Sequence, residues 1–192
     1  MSEVSICNQA LSLLAVPTIL ALDPEEGPAA SLCATNYAPL RDALLSEASW
    51  SFATRRYQLT PVVDEPAYGY GQKFLLPTEV LTVIEASADD FHVNGASTMD
   101  WRLEEGHIVA DATRVYAKCI IRIVDTSKFS ASFTQALVSR LAAQFAPTFT
   151  EGNTKTEQMW ALYNKDLNIA LSVDGRQGKS DLTRGGSLIR VR

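Results

Sequence analysis

The chain has 192 residues, 46% hydrophobic and 20% charged, with ten glycines and eight prolines. That composition excludes a disordered, collagen-like or low-complexity chain and suffices to bury a sizeable core without disulfides or metal. Seventeen basic residues against twenty-two acidic ones leave a net charge of −5, which disfavours a body that wraps duplex DNA by neutralising its phosphates. Cys7, Cys33 and Cys119 are odd in number, widely spaced and without a CxxC pair, so they read as free buried thiols in a reducing compartment. No basic N-terminal region precedes an apolar run, and no apolar run reaches the roughly 18 residues of a bilayer span. The expectation is a soluble chain made in the cytoplasm, with no membrane partner.

Taken in chain order, Ser2 is a candidate N-cap, and Ile6, Ala10, Leu13 and Leu14 recur at helical spacing until Pro17. The turn-rich stretch Leu22 to Pro28 follows, its acidic residues placed to complement the dipole of a second helix. In that helix Cys33, Tyr37, Leu40, Leu44 and Ala48 form an apolar stripe, and Pro39 inside it predicts a kink or a split. Trp50 and Phe52 open a short third segment that ends in Arg55 and Arg56 before Pro61.

From about Pro61 to Asp125 the pattern changes to short β-prone runs: Lys73 to Leu76, Val80 to Ala86, Phe91 to Asn94, Met99 to Leu103, His107 to Ala110 and Val115 to Val124. The last alternates most clearly, one face wholly apolar and the other mixed. Asn94-Gly95 and Glu105-Gly106 are tight-turn signals and predict antiparallel hairpins. Helical periodicity returns at Ser127, where Phe129, Phe133, Leu137, Leu141 and Phe145 recur every fourth residue beside Ala136, Ala142 and Ala143. After Pro147, Thr154 and Glu157 fit a capping box for a last helix with the stripe Met159, Tyr163, Leu167, Ala170 and Leu171, ending before Gly175.

The expected fold class is α+β: an antiparallel helical bundle, an inserted small antiparallel β domain standing as a satellite on one side, and a flexible C-terminal arm. The corresponding boundaries are 1–62 and 126–174 for the helices, 63–125 for the β insertion and 175–192 for the arm. The arm carries Arg176, Lys179, Arg184, Arg190 and Arg192 against Asp181 alone, a net +4, which leaves −9 on the body. This split makes the arm a candidate for docking on an acidic protein partner. Without interleaved aromatics it is a weak nucleic-acid signal.

Residues that could carry catalysis are few. His92 and His107 lie in β-prone segments, and no zinc, nucleophile-elbow, calcium-loop or phosphate-loop pattern occurs. The carboxylate pairs Glu25-Glu26, Asp89-Asp90 and Glu104-Glu105, with Asp64 and Glu65, fall in turns and read as solvated charge. No catalytic, metal or cofactor residue is therefore assigned.

Tyr37, Pro39, Arg41 and Asp42, followed by Leu44, Leu45, Ala48, Trp50, Phe52 and Ala53, resemble the tail tubular protein A, or head-to-tail adaptor, family of short-tailed phages and related prophages. The likeness begins in the first helix at Cys7 to Leu11. It continues through Gly69, Tyr70 and Gly71 before Phe74 to Pro77, and through Leu137 to Ala146, over about residues 5 to 172. The resemblance implies a non-enzymatic virion protein at the head–tail junction, in a ring of usually twelve copies between the portal protein and a nozzle protein like tail tubular protein B. The helical domain would pack side by side, the β insertion would face the tail and the arm would reach the portal. Ejected DNA would pass through the channel without sequence-specific binding.

Read from their chemistry alone, Trp50 and Phe52 are apolar anchors at a helix end. Tyr37 lies on the core stripe. Arg41 and Asp42, adjacent on a helix, are expected to point apart and to pair with a neighbouring helix or protomer. The alternative function is a tail-borne cell-wall or polysaccharide hydrolase, which requires two carboxylates about 5 to 9 Å apart in a pocket. A third is a ligand-binding α+β domain with no tie to a phage, which would be a stable monomer.

Overall fold

In a computed structural model, described for residues 1–88, 99–150 and 152–177, Ser2 accepts a hydrogen bond from the Ser5 N–H and starts helix α1, Glu3–Leu13. Its end is set by backbone geometry. Ala15 adopts φ +56°, while the Val16 and Ala15 N–H groups return to the Leu11 and Ser12 carbonyls. That pattern closes a helix with a left-handed residue. The following segment is tied back to α1 by Asn8, whose amide both donates to the Ile19 carbonyl and accepts its N–H. Glu26 accepts the Leu20 and Ala21 N–H groups, so its carboxylate holds the loop and does not face the next helix dipole as expected.

Helix α2, Pro28–Ser46, starts at Gly27, with φ +138° and no side-chain cap, and runs unsplit through Pro39. A single 3-10 turn, Ser51–Ala53, leads into strand β1, Thr54–Leu59. This is the main departure from the expected boundaries, because β1 lies within the span assigned to helices. It forms because β6, Val115–Ile121, offers a full antiparallel ladder from Thr54↔Ile120 to Leu59↔Val115, a partner that local pattern cannot reveal.

The chain is a mixed α+β protein, and its described residues form four α-helices and two three-stranded antiparallel sheets. The first sheet has the order β1-β6-β3, where β3 is Val80–Ser87 and carries two register shifts. The second has the order β2-β5-β4, from Gln72–Leu75, His107–Ala110 and Trp101–Glu104. Glu105 and Gly106, at φ +48° and +76°, make the expected two-residue turn between β4 and β5. The expected run Phe91 to Asn94 and the turn at Asn94-Gly95 lie outside the described residues. β6 stops at Ile121, short of Val124: Arg122 donates its N–H to the Glu79 carbonyl, and its guanidinium is drawn to Asp42.

Helix α3, Ala131–Phe149, is capped by Ser130 and continues through Pro147. Phe133, Ala136, Leu137, Leu141, Ala142, Ala143 and Phe145 are all fully buried, as their spacing predicts, and α3 packs on α1, α2 and α4. The small residues allow the close approach. Helix α4, Asn153–Gly175, begins at Gly152 without a side-chain cap, so the expected capping box is not formed. Met159, Tyr163 and Ala170 face inward, whereas Leu171 is largely exposed.

Two cores meet on β6. Ile120, Ile121 and Ile123 join the helical cluster, while Val115, Ala117 and Cys119 join Leu59, Phe74, Ala86, Ile108 and Ala110 between the sheets. The strands are thus not a detached satellite, since the first part of β6 serves one core and its end, with Ile123 just beyond, serves the other. All three cysteines are buried and free, as expected. At the centre of the helical core Phe133 lies edge-on to Trp50, Phe52 and Phe129, with centroids 5.1, 5.0 and 5.0 Å away. Phe133→Ala should lower unfolding stability by about 3–5 kcal/mol. Phe52→Ala, at a half-buried rim position, should cost clearly less, both read from urea midpoints.

Candidate functional site

The residues singled out in sequence fall in two places, Tyr37, Arg41 and Asp42 along α2 and Trp50 and Phe52 just beyond its end. Trp50, fully buried, follows α2 and donates its indole N–H at 2.9 Å to the Leu44 carbonyl, which also accepts the Glu47 N–H at the helix end. The turn after it is held from the far end of the chain. Asp174, 7% exposed on the last turn of α4, accepts the Ser51 N–H at 3.0 Å and the Ser51 hydroxyl at 2.9 Å. A carboxylate placed on the first N–H of a 3-10 turn is a charge-assisted cap.

Arg41 and Asp42 behave differently from the expectation that they point apart. The Arg41 guanidinium, buried beside the Tyr37 ring, folds back so that Nε and Nη2 both reach Asp42 Oδ1 at 2.8 Å. Its Nη1 lies 3.8 Å from Glu3 on α1. Asp42 Oδ2 accepts from Arg122 Nε at 2.7 Å. A long arginine stem overcomes the divergence of adjacent helix positions, and the shared carboxylate ties α1, α2 and the end of β6 together. Burial pushes the Tyr37 phenol above its ordinary range, and its hydroxyl has no hydrogen-bond partner in the structure.

A second charged knot joins α2, α3 and α4. Arg140 Nη1 donates to Glu47 and, at 2.6 Å, to the Tyr163 hydroxyl, which donates to Glu47 Oε2 at 2.6 Å. The guanidinium also sits 5.2 Å from the Tyr163 ring centroid. Burial, with the Glu47 hydrogen bond, pushes the Tyr163 hydroxyl up to about 12. Neither this knot nor Asp174 was anticipated from sequence. The signal for Asp174 was a carboxylate four residues beyond Ala170 on an apolar stripe.

Of the candidate arm residues, Arg176 is not in an arm. It is the C-cap of α4, and its Nε donates to the Ser172 carbonyl at 3.1 Å. Lys179, Arg184, Arg190 and Arg192 lie outside the described residues, as do His92, Asp89 and Asp90. The chain therefore leaves α4 beside Asp174 and Ser51, next to the Trp50 joint.

The carboxylates and histidine noted in sequence do partly meet. Glu104, Glu105, His107 and Lys73 line an open cleft of about 500 Å³ with Pro66, Ala67 and Tyr68. His107 Nδ1 is 3.0 Å from the Glu105 carbonyl, and Lys73 holds the Asp64 carboxylate at 2.8 Å and below its usual range. Among the described residues no cluster of His, Cys, Asp and Glu could hold a metal ion, and no helix is long and apolar enough to cross a membrane. No family model matches the chain, and no curated protein matches it.

Asp174→Ala should destabilise the protein by about 1.5–3 kcal/mol, the range for hydrogen bonds to a charged group, measured by urea unfolding. Tyr163 binds its proton more tightly folded than unfolded, so its contribution is complete below pH 10 and is lost as pH rises toward 12. Tyr163→Phe should therefore flatten the fall in stability across that window and remove one late-ionising phenol from an ultraviolet titration.

Proposed function

We propose that the chain is a structural, non-enzymatic subunit of a phage head-to-tail adaptor ring, set in the virion between the portal protein and the tail nozzle and completing the channel for genome ejection. The observation that carries this reading is the joint at Trp50. Tyr37, Arg41, Asp42, Trp50 and Phe52, which bear the family resemblance, are spent on rigid packing and intrachain ion pairs, and the basic terminus leaves the chain at that joint. Rigid positioning of a terminal segment is what a connector subunit requires, because ordering losses on binding fall when the base of the segment is fixed.

In this reading the four helices form the bundle that packs side by side in a ring of about twelve copies. The sheets face the tail, and residues 178–192 engage an acidic surface of the portal. An acidic lumen would repel phosphate and let DNA slide. Assembly on the portal alone would leave the isolated protein monomeric.

The open cleft at Glu104, Glu105 and His107 favours the second reading, a tail-borne polysaccharide hydrolase. Against it, the two carboxylates are consecutive residues at a hairpin tip, one ending β4 and the other in the turn, and such neighbours do not converge on one bond. A peptidoglycan or polysaccharide assay that releases no product would remove it.

Deleting residues 178–192 should weaken association with the portal protein of the same phage, and the difference should shrink as salt rises, because contacts between exposed charges are screened. Binding by the truncated chain as tight as that of the full chain at every salt concentration would overturn the role of the arm.

A further inference from the structure

The face of the first sheet that turns away from the core between the sheets packs on the helices at Ile120 and beyond that point carries a row of cations. In the ladder, Arg56 stands directly opposite Lys118, which stands opposite Glu85, and one rung further Gln58 stands opposite Tyr116. Alternate residues of β6, Val115, Ala117 and Cys119, are buried between the two sheets, so Tyr116 and Lys118 face away from that core. Arg114 completes the row, with Nη1 3.4 Å from the Tyr116 hydroxyl. Arg56 and Arg114 are exposed and Lys118 is half-buried. Among the described residues neither Arg56 nor Lys118 has an ion-pair partner within 4 Å, whereas Arg55, on the opposite side of β1, pairs with Glu79.

Like charges directly opposite on a sheet are destabilising, and here they stand on a protein whose net charge is −5. Glu85 offsets one of the three cations, leaving a net +2 on this face. We infer that this face, with Arg56, Arg114 and Lys118 as its phosphate contacts and Tyr116 and Gln58 as neutral donors, binds the sugar-phosphate backbone of duplex DNA without reading its sequence. A strand advances about 6.6 Å per two residues, so Arg114 and Lys118 stand about 13 Å apart and reach separate phosphates of the regularly repeating duplex backbone. A carboxylate patch on a protein has no such repeat, and the arginine fork matches a phosphate in bidentate fashion. The assignment does not rest on the adaptor reading, because the face is complete within one copy of the chain.

The test is fluorescence anisotropy of a labelled 20-base-pair duplex of arbitrary sequence, titrated with the full chain at several salt concentrations. Three phosphate contacts contribute about −2.7 to the slope of log K against log salt, or about 40-fold between 50 and 200 mM. The triple variant Arg56→Gln, Arg114→Gln, Lys118→Gln should lose that share of the slope, and Arg102→Gln, an exposed arginine on the other sheet, should keep it. Lys118→Glu alone gives the same direction should the triple variant unfold by circular dichroism. An unchanged slope and affinity in folded variants would overturn the assignment. So would displacement of the duplex by poly-glutamate at equal charge concentration, which would make the face a dock for acidic protein.

Discussion

Everything in this fold depends on how Trp50 leaves α2. The indole is buried at the point where a helix must become a turn and then a strand, and its N–H donates to the Leu44 carbonyl. The hydrogen bond contributes about 1 kcal/mol, while burying the ring and stacking it edge-on to Phe133 is worth several times that. The apolar term therefore fixes where the chain goes, and the polar term fixes its angle. From that angle follows the line of β1, and from β1 the order of the first sheet.

Charged side chains tie the elements together at several joints. Arg41, Asp42, Arg122 and Glu3 tie the helices to the sheet, and Glu47, Arg140 and Tyr163 tie three helices together. Asp174 joins the last helical turn to Ser51, 123 positions earlier. A partly buried ion network adds little net stability, because desolvation offsets attraction, but breaking one member leaves the others unpaired. Such knots select one arrangement among those the apolar core would tolerate. They also place the last turn of α4 beside Ser51.

β6 couples the two halves. The strand gives Val115, Ala117 and Cys119 to the core between the sheets and Ile120 and Ile121 to the helical core, so the strands cannot move far without disturbing the helices. The half-buried remainder of that strand, Tyr116 and Lys118, stands beside Arg56 and Arg114. Charge at the helix joints is thus used for architecture, in Arg41, Asp42, Arg140 and Asp174.

Sequence alone determined the helices, the hairpin at Glu105-Gly106, the buried cysteines and the inward face of α3, because each depends on periodicity or turn chemistry within a few residues. It also carried the family resemblance, through Tyr37, Arg41, Asp42, Trp50 and Phe52. Tertiary structure alone decided that residues 54–59 become a strand, since the ladder that makes them one comes from residues 115–120. It decided that Arg41 turns back to Asp42, that Arg176 caps a helix, and that Asp174 holds Ser51. These depend on groups brought together across long separations, whose distance and burial no local pattern encodes.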